Sequence, residues 1–532
     1  MQVTQDLSSE SVLHNDLLWR IFQENIKFPY SLIASHQRPT PAPLITARHC
    51  SQVCRRWRDI YLQSPSIWAK LMDLDNLHQE RDDWRREVVS RSGQALIWVY
   101  GIPNTRATDF FMPFLKDNWT RVQRMAFNDS HRLPGEGRRE AWAFLTEPAP
   151  NLHTILLPSW NSMPSGILFR NHAPLLRRFD ISTSDYRLPA NSSWLPNLSH
   201  VTLHETHRIK EVMKALKQMH RLIFLDITTN NTYSSSRIEG LQSNGITLPG
   251  LKMLTLRGHF SNVAFMLENI SPSRECCLYI GGPPIEHYLQ WEPAPSSDEY
   301  EQYETSVIKH IIPYFAAHPP SRALLRLHFY RHCISLEQGR VAHISNWRWC
   351  VPFYVPLLSS SLLVLKALAS SASLSLVHEL ETWPQFQDAP LAVTSLLALF
   401  PSLKTLRILT DSVLELLLQR DPIGTGTDTI FPLLSTLKVQ WPSRERVDDG
   451  ELAHQRFLKH RRATGKPISV FEPIPWTTYP LPDMDYLEEH TDLLVRWPTA
   501  GGMKEYRCGD GRPEELRFRT FGLKYSQENG GS

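Results

Sequence analysis

The sequence predicts an α/β solenoid, a horseshoe with a parallel sheet, preceded by a small all-α module of three helices. Two observations predict it. A short phrase, P-x-L-x-x-L-x-L, recurs from residue 150 onward at intervals of 22 to 29 residues. Upstream of it, two stretches within the first seventy residues place apolar side chains three and four apart, the period of helices. Length agrees: 532 residues exceed one ordinary core and suit a repeat array.

The leading helix is read over SVLHNDLLWRIF, with Leu13, Leu17, Ile21 and Phe22 forming one apolar stripe and Leu18 beside it. Ser11 or Asn15 is the expected N-cap, and Pro29 stops the helix by residue 28. A second helix is expected over 44–61, through Leu44, Ala47, Cys50, Val53, Cys54, Trp57, Ile60 and Tyr61. Between them FPYSLIASHQRPTPAP is proline-rich and reads as a loop. A third short element closes the module at Ser64-Pro65-Ser66-Ile67-Trp68. Helices this short cannot bury every apolar face against one another, so an uncovered face, and a partner for it, are expected.

Downstream, copies of the phrase begin at Pro150, Pro174, Pro196, His220, Pro249 and Ser273, and successive starts differ by 24, 22, 24, 29 and 24 residues. The phrase returns at Pro401 and Pro432, with degenerate copies at Thr120 and Pro320. Such spacing falls in the leucine-rich-repeat period of about 20–29 residues. The last two apolar residues of each copy lie two apart and share one face of a strand; examples are Val201 with Leu203, Leu254 with Leu256, and Leu406 with Ile408. Helical spacing precedes several strands, over 209–219 and 391–400. Two stretches break the rhythm: an acidic, Tyr-rich insertion over 281–320 with a helix expected at 307–317, and 328–391, where the strands are not placed. The expected divisions are 8–75 for the helical module, 76–119 for a connecting segment with a first strand and helix, 120–475 for the repeats and 476–532 for a cap or tail.

Composition narrows the function classes. Apolar and charged fractions of 42 % and 21 % are those of a folded chain. A net charge of +3 at this length gives no reason to expect nucleic acid or anionic lipid as partner. Seven cysteines, with Cys276 and Cys277 adjacent, suit a reduced compartment. The polar, acidic start is no signal peptide, and the most apolar window, 355–377, is broken by Pro356, Lys366 and serines. Cytosol or nucleus is the expected home, with no membrane association. No phosphate loop, dinucleotide fingerprint, H-E-x-x-H helix or G-x-S-x-G elbow occurs. Gly135 and Gly137 read as a surface turn, and Cys50 with Cys54 is two thiols short of a zinc site. No catalytic residue, metal or cofactor is expected.

The segment Leu13-His14-Asn15-Asp16-Leu17-Leu18-Trp19-Arg20-Ile21-Phe22, the run Val53-Cys54-Arg55-Arg56-Trp57-Arg58 and the closing Pro65-Ser66-Ile67-Trp68 together resemble the F-box of fungal F-box proteins. His14 stands where that family has proline, and Asp16 is shorter than its usual acidic residue. Residues 88–101 are similar to the strand that follows the F-box in fungal members. The resemblance implies that Leu13, Leu17, Leu18, Ile21, Phe22, Val53, Cys54 and Trp57 form or support a face for a Skp-type linker protein and, through it, a cullin. Trp68 would lock the module to the solenoid. The repeats would then hold an unidentified protein target, and the chain would be the non-catalytic adaptor of a ubiquitin ligase. The tentative target face is a concave stripe, acidic at Asp180 and Asp226 and basic at Arg326, Arg407 and Lys438, with Thr202 and Thr255 between. Two alternatives stay open: a repeat scaffold with a degenerate F-box and no ligase role, and an enzyme with its site in 281–391.

Overall fold

A computed structural model describes residues 13–26, 42–77, 83–102, 105–127, 142–157, 166–181, 188–204, 209–229, 245–258, 260–272, 276–281, 324–330, 333–338, 355–356, 377–384, 397–408, 412–420, 430–440, 452–475, 483–499 and 502–518, with 305, 308–309, 375 and 481. The helix expected at 307–317 and most of that expected at 391–400 lie outside the described residues. The chain forms two compact units, Met1–His259 with Asn269–Ser273, and Phe260–Glu268 with Arg274–Ser532.

The first unit opens with helices α1 (Asn15–Glu24), α2 (Pro43–Val53), α3 (Arg55–Leu62) and α4 (Pro65–Trp68). The single helix expected over 44–61 is two. Cys54 is fully extended (φ −155°, ψ 169°), and its thiol accepts the Trp57 amide at 3.4 Å, so it caps α3. A residue that interrupts the backbone while keeping a helical spacing of side chains leaves no mark in the periodicity. The N-cap of α1 is neither Ser11 nor Asn15 but His14, whose ring Nδ1 accepts the Asp16 amide at 3.4 Å. Proline sits at the first turn of α2 and α4, where its missing N–H has no helical partner to lose.

The module packs through aromatics. Phe22 meets Tyr61 at 4.4 Å and Trp57 at 5.0 Å between ring centroids. Trp68 is wholly buried, and its indole N–H donates to the Tyr61 carbonyl at 2.7 Å. Around it stand Trp84 at 6.2 Å and the Arg91 guanidinium at 4.7 Å, both on α5 (Asp83–Arg91).

Four residues after Trp68 the chain is already in a sheet. Strands β1 (Met72–Asp73), β2 (Ile97–Gly101), β3 (Val122–Phe127), β4 (Thr154–Leu157), β5 (Arg178–Ile181), β6 (His200–Leu203) and β7 (Phe224–Thr228) neighbour one another in chain order and pair in parallel. β8 (Ile246–Leu248) leaves the main sheet, and β9 (Met253–Arg257) takes the place beside β7. The returns include α6 (Thr105–Asp117) and α7 (Ile209–Leu216) and short 3-10 turns such as Leu195–Asn197.

The repeated phrase has a physical origin. In each copy the leucine amide reaches back three residues to a carbonyl: Leu152 to Ala149, Leu176 to Ala173, Leu198 to Leu195, Leu222 to Met219 and Leu251 to Leu248. The proline of the phrase occupies the second position of that turn, where its fixed φ is preformed. The turn drives the leucine inward, and Leu152, Leu176, Leu198, Leu222 and Leu251 are all buried. One carbonyl before each strand then accepts two amides of the next copy. His153 takes Arg177 and Arg178, Arg177 takes Ser199 and His200, Ser199 takes Ile223 and Phe224, and Ile223 takes Lys252 and Met253.

The second unit repeats this device at Leu403, Leu434 and the carbonyls of His378, Lys404 and Ser435. Its sheet is mixed, which corrects the expectation of an all-parallel horseshoe. Named in chain order after β9, its strands are β10 (Leu324–Tyr330), β11 (Cys333–Gln338), β12 (Val355–Pro356), β13 (Glu379–Pro384), β14 (Thr405–Ile408), β15 (Thr436–Gln440), β16 (Val470–Ile474), β17 (Leu494–Thr499) and β18 (Gly502–Arg507). β10, β13, β14, β15, β16 and β17 run parallel, while β11 with β12 at one end and β18 at the other are antiparallel additions. The strands missing from 328–391 are therefore a hairpin and a parallel strand. Helices α8 (Ser412–Arg420) and α9 (Ala453–Ala463) are among its returns. Arg461 on α9 is buried and bonds the carbonyls of Lys466, Ile430 and Leu434.

Candidate partner-binding surfaces

Two kinds of surface stand out: an apolar one on the helical module and polar ones on the sheets. On α1 the apolar residues divide between two faces. Leu18, Phe22 and Ile26 point into the module and are buried. Leu13, Leu17 and Ile21, spaced four apart, form a stripe with 49, 48 and 45 % of their surface exposed. Val53 at the end of α2 is 63 % exposed, and Leu62 at the end of α3 is exposed as well. Covering what remains exposed of such side chains is worth about 1 kcal/mol each, so a stripe left in water is a candidate contact surface.

The structure thus sorts the nine predicted linker-face residues. Leu13, Leu17, Ile21, Val53 and Cys54 are exposed, and Trp57 is half-buried against Phe22. Leu18, Phe22 and Trp68 are enclosed by their own chain, which leaves them a supporting role within the module. Arg56, which the sequence reading placed in the F-box-like run without a role, ties α3 to the start of α1 by donating to Asn15 Oδ1 at 2.8 Å and to the Leu13 carbonyl. His14 caps the helix that carries the stripe, so the residue standing in for the usual proline still fixes the helix start.

On the first sheet, the strand alternation leaves one face lined by Asp180, Thr202, Asp226 and Thr255 in register on β5, β6, β7 and β9. Two residues further along the same face come His204, Thr228 and Arg257. His204 Nε2 lies 3.4 Å from Asp180 Oδ1, and Arg257 Nη2 lies 3.5 Å from Asp226 Oδ2. Burial pulls the His204 imidazole down, but the Asp180 and Asp226 carboxylates outweigh it and hold it above its ordinary value. Burial pushes the Asp226 carboxyl up, against the opposing pull of Arg257 and His204. On the N-terminal side of this row, burial beside Arg178 and His153 lowers the His200 imidazole to about 4.

On the second sheet the corresponding row is electrically balanced. Glu381, Arg407, Lys438 and Glu472 stand in register on β13 to β16, and Arg496 pairs with Glu505 across β17 and β18. Arg407 meets Glu381 at 3.2 Å, Lys438 meets Glu472 at 3.2 Å and Glu379 at 3.6 Å, and Arg496 meets Glu505 at 2.8 Å. Arg326 is aligned with Glu381 by register, and its side chain lies outside the described residues. The basic half of the predicted stripe is therefore a row in which Arg407 and Lys438, side by side, are flanked by Glu381 and Glu472. His204 and Arg257, and the carboxylates Glu381 and Glu472, were the members that sequence reasoning missed. The signal for His204 and Arg257 was present, since they lie two residues beyond Thr202 and Thr255 on the same strand face, whereas Glu381 and Glu472 lie on strands that the sequence reading did not mark.

Among the described residues no group of His, Cys, Asp and Glu is placed to hold a metal ion, and no helix is long and apolar enough to cross a membrane. No family model matches the chain, and comparison with curated proteins returns no match. The functional reading therefore comes from the residues themselves.

Proposed function

We propose that this chain is the substrate-recognition adaptor of a Skp–cullin–F-box ubiquitin ligase. In this reading α1 to α4 are an F-box that binds a Skp-type linker, and the strand stack is a leucine-rich-repeat-like solenoid that holds the target. The supporting observation is the uncovered Leu13–Leu17–Ile21 stripe with Val53, lying on the segments that carry the F-box resemblance. Trp68 supports a second part of it. Its buried indole, bonded to Tyr61 and flanked by Trp84 and Arg91, joins the module to β1 without a flexible linker. A linker held there would keep a fixed bearing on the first sheet, and the chain would act by orientation and effective concentration, with no reacting group of its own.

The test uses exposed residues, because substituting Phe22 or Trp68 would unfold the module. A tagged full chain captures a Skp-type linker protein, and Leu17→Asp with Ile21→Asp lowers that capture about a hundredfold, since each charge would be buried at the interface. Unchanged capture by the double variant, or none by the parent, removes the ligase reading in favour of a scaffold.

A further inference from the structure

We propose that Asp180, His204 and Asp226 on the first sheet form a recognition site for one basic side chain, arginine or lysine, of an extended protein segment. The inference deepens the adaptor reading, and rests on it only in calling that segment a target. The floor of the site is small and polar. Thr202 separates the two aspartates in register, and Thr255 and Thr228 lie on the far side of Asp226. Strand spacing sets the two aspartate backbones about 9.5 Å apart. Both carboxylates are under-coordinated. An ionised carboxylate offers about four acceptor positions, and charge-assisted bonds to it close to about 2.7–2.9 Å. Asp180 has His204 at 3.4 Å, and Asp226 has Arg257 at 3.5 Å.

Asp226 is the deciding residue. It is only 8 % exposed, and its Oδ1 is buried with no hydrogen-bond donor. Leaving such an atom unmet costs about 1–3 kcal/mol. The cation that would meet it is organic, because the aspartates and His204 do not converge as metal ligands. A guanidinium suits the gap best, since its planar fork donates to separate carboxylates at once. Arg257 lies on the Oδ2 side of Asp226, its side chain 37 % exposed, which leaves Oδ1 for the incoming donor. The second sheet makes the contrast: Glu381, more deeply buried still, is already held by Arg407 at 3.2 Å.

Among the described residues, the charged groups facing His204 are Asp180 on β5, Asp226 on β7 and Arg257 on β9. An arriving cation competes with the imidazolium for the same carboxylates, so binding releases the His204 proton and tightens as pH rises through its titration. The experiment follows the imidazole C2–H resonance of His204 in the full chain, assigned by its loss in His204→Gln. The probes are Nα-acetyl-arginine methylamide and its neutral counterpart Nα-acetyl-citrulline methylamide, at constant ionic strength. The arginine probe shifts the resonance and the citrulline probe does not, and Asp226→Asn or Asp180→Asn weakens the response at least about tenfold. Equal response to both probes, or a response unchanged in both Asn variants, overturns the proposal. Followed through backbone amides of β6 and β7, His204→Gln still binds the arginine probe but without the pH dependence; a retained pH dependence also overturns it. Linker capture is indifferent to all these variants, so failure here and failure of the ligase reading are separately visible.

Discussion

The same position on the two sheets is solved in two ways. In the first unit, acids alternate with threonines, and the counter-charges His204 and Arg257 reach in from one pleat further along. In the second unit the row runs Glu381, Arg407, Lys438, Glu472, and each base meets an acid on a neighbouring strand. The second arrangement satisfies itself and adds cohesion between neighbouring strands. The first keeps acceptor capacity in reserve on a surface that stays partly open. A row of charges is thus no evidence for binding until its internal pairing is known.

The contrast breaks most visibly at Arg407. Its removal takes the 3.2 Å ion-pair partner from the buried Glu381, so Arg407→Ala should lower the opening free energy of β13 to β15 by about 2 kcal/mol. Arg257→Ala should cost only about 1 kcal/mol, because its pair with Asp226 is longer and partly solvated. Segment-resolved hydrogen exchange reads both, and equal losses would erase the distinction.

Proton linkage sharpens it next. His454 of the second unit is buried against Phe471, and burial lowers its imidazole from 6.5 to about 3. Between these values the unfolded chain binds a proton that the native unit does not, so stability falls as pH falls, by up to about 1.4 kcal/mol per pH unit. His204 runs the other way. Its folded value lies above 6.5, so its contribution is complete below that pH and is lost as pH rises through the folded value. Hydrogen exchange across pH should show His454→Phe flattening the acid slope of the second unit and His204→Gln flattening the neutral-to-alkaline slope of the first. The smallest effect is ionic. Raising salt from 0.1 M to 1 M shortens the screening length from about 10 Å to about 3 Å, and should weaken the second unit's exposed pairs by under about 1 kcal/mol each while leaving Glu381–Arg407 nearly unchanged.

How much was legible in the chain depended on how local the cause was. The P-x-L turns were, because proline at the second turn position and an inward leucine are set by neighbours within three residues. The break at Cys54 was not, since one extended residue leaves the helical spacing of Ala47, Val53, Trp57 and Tyr61 intact. Nor was the division of α1, where Ile21 faces water and Phe22 the core; only the position of Trp57 and Tyr61 decides which neighbour is inside. β10 carries the degenerate copy begun at Pro320, but β11 lies in the stretch without the phrase, so nothing announced where the chain turns back.

One detail of the stack has a reach beyond any single strand. Because one carbonyl ahead of β4, β5, β6, β7, β13, β14 and β15 takes two amides from the next copy, these layers share one form of joint. Nothing in that joint counts how many layers precede or follow it. Such a body can lengthen by duplication and shorten by excision of whole layers, and the chemistry presented by a layer can be exchanged without recutting its seams.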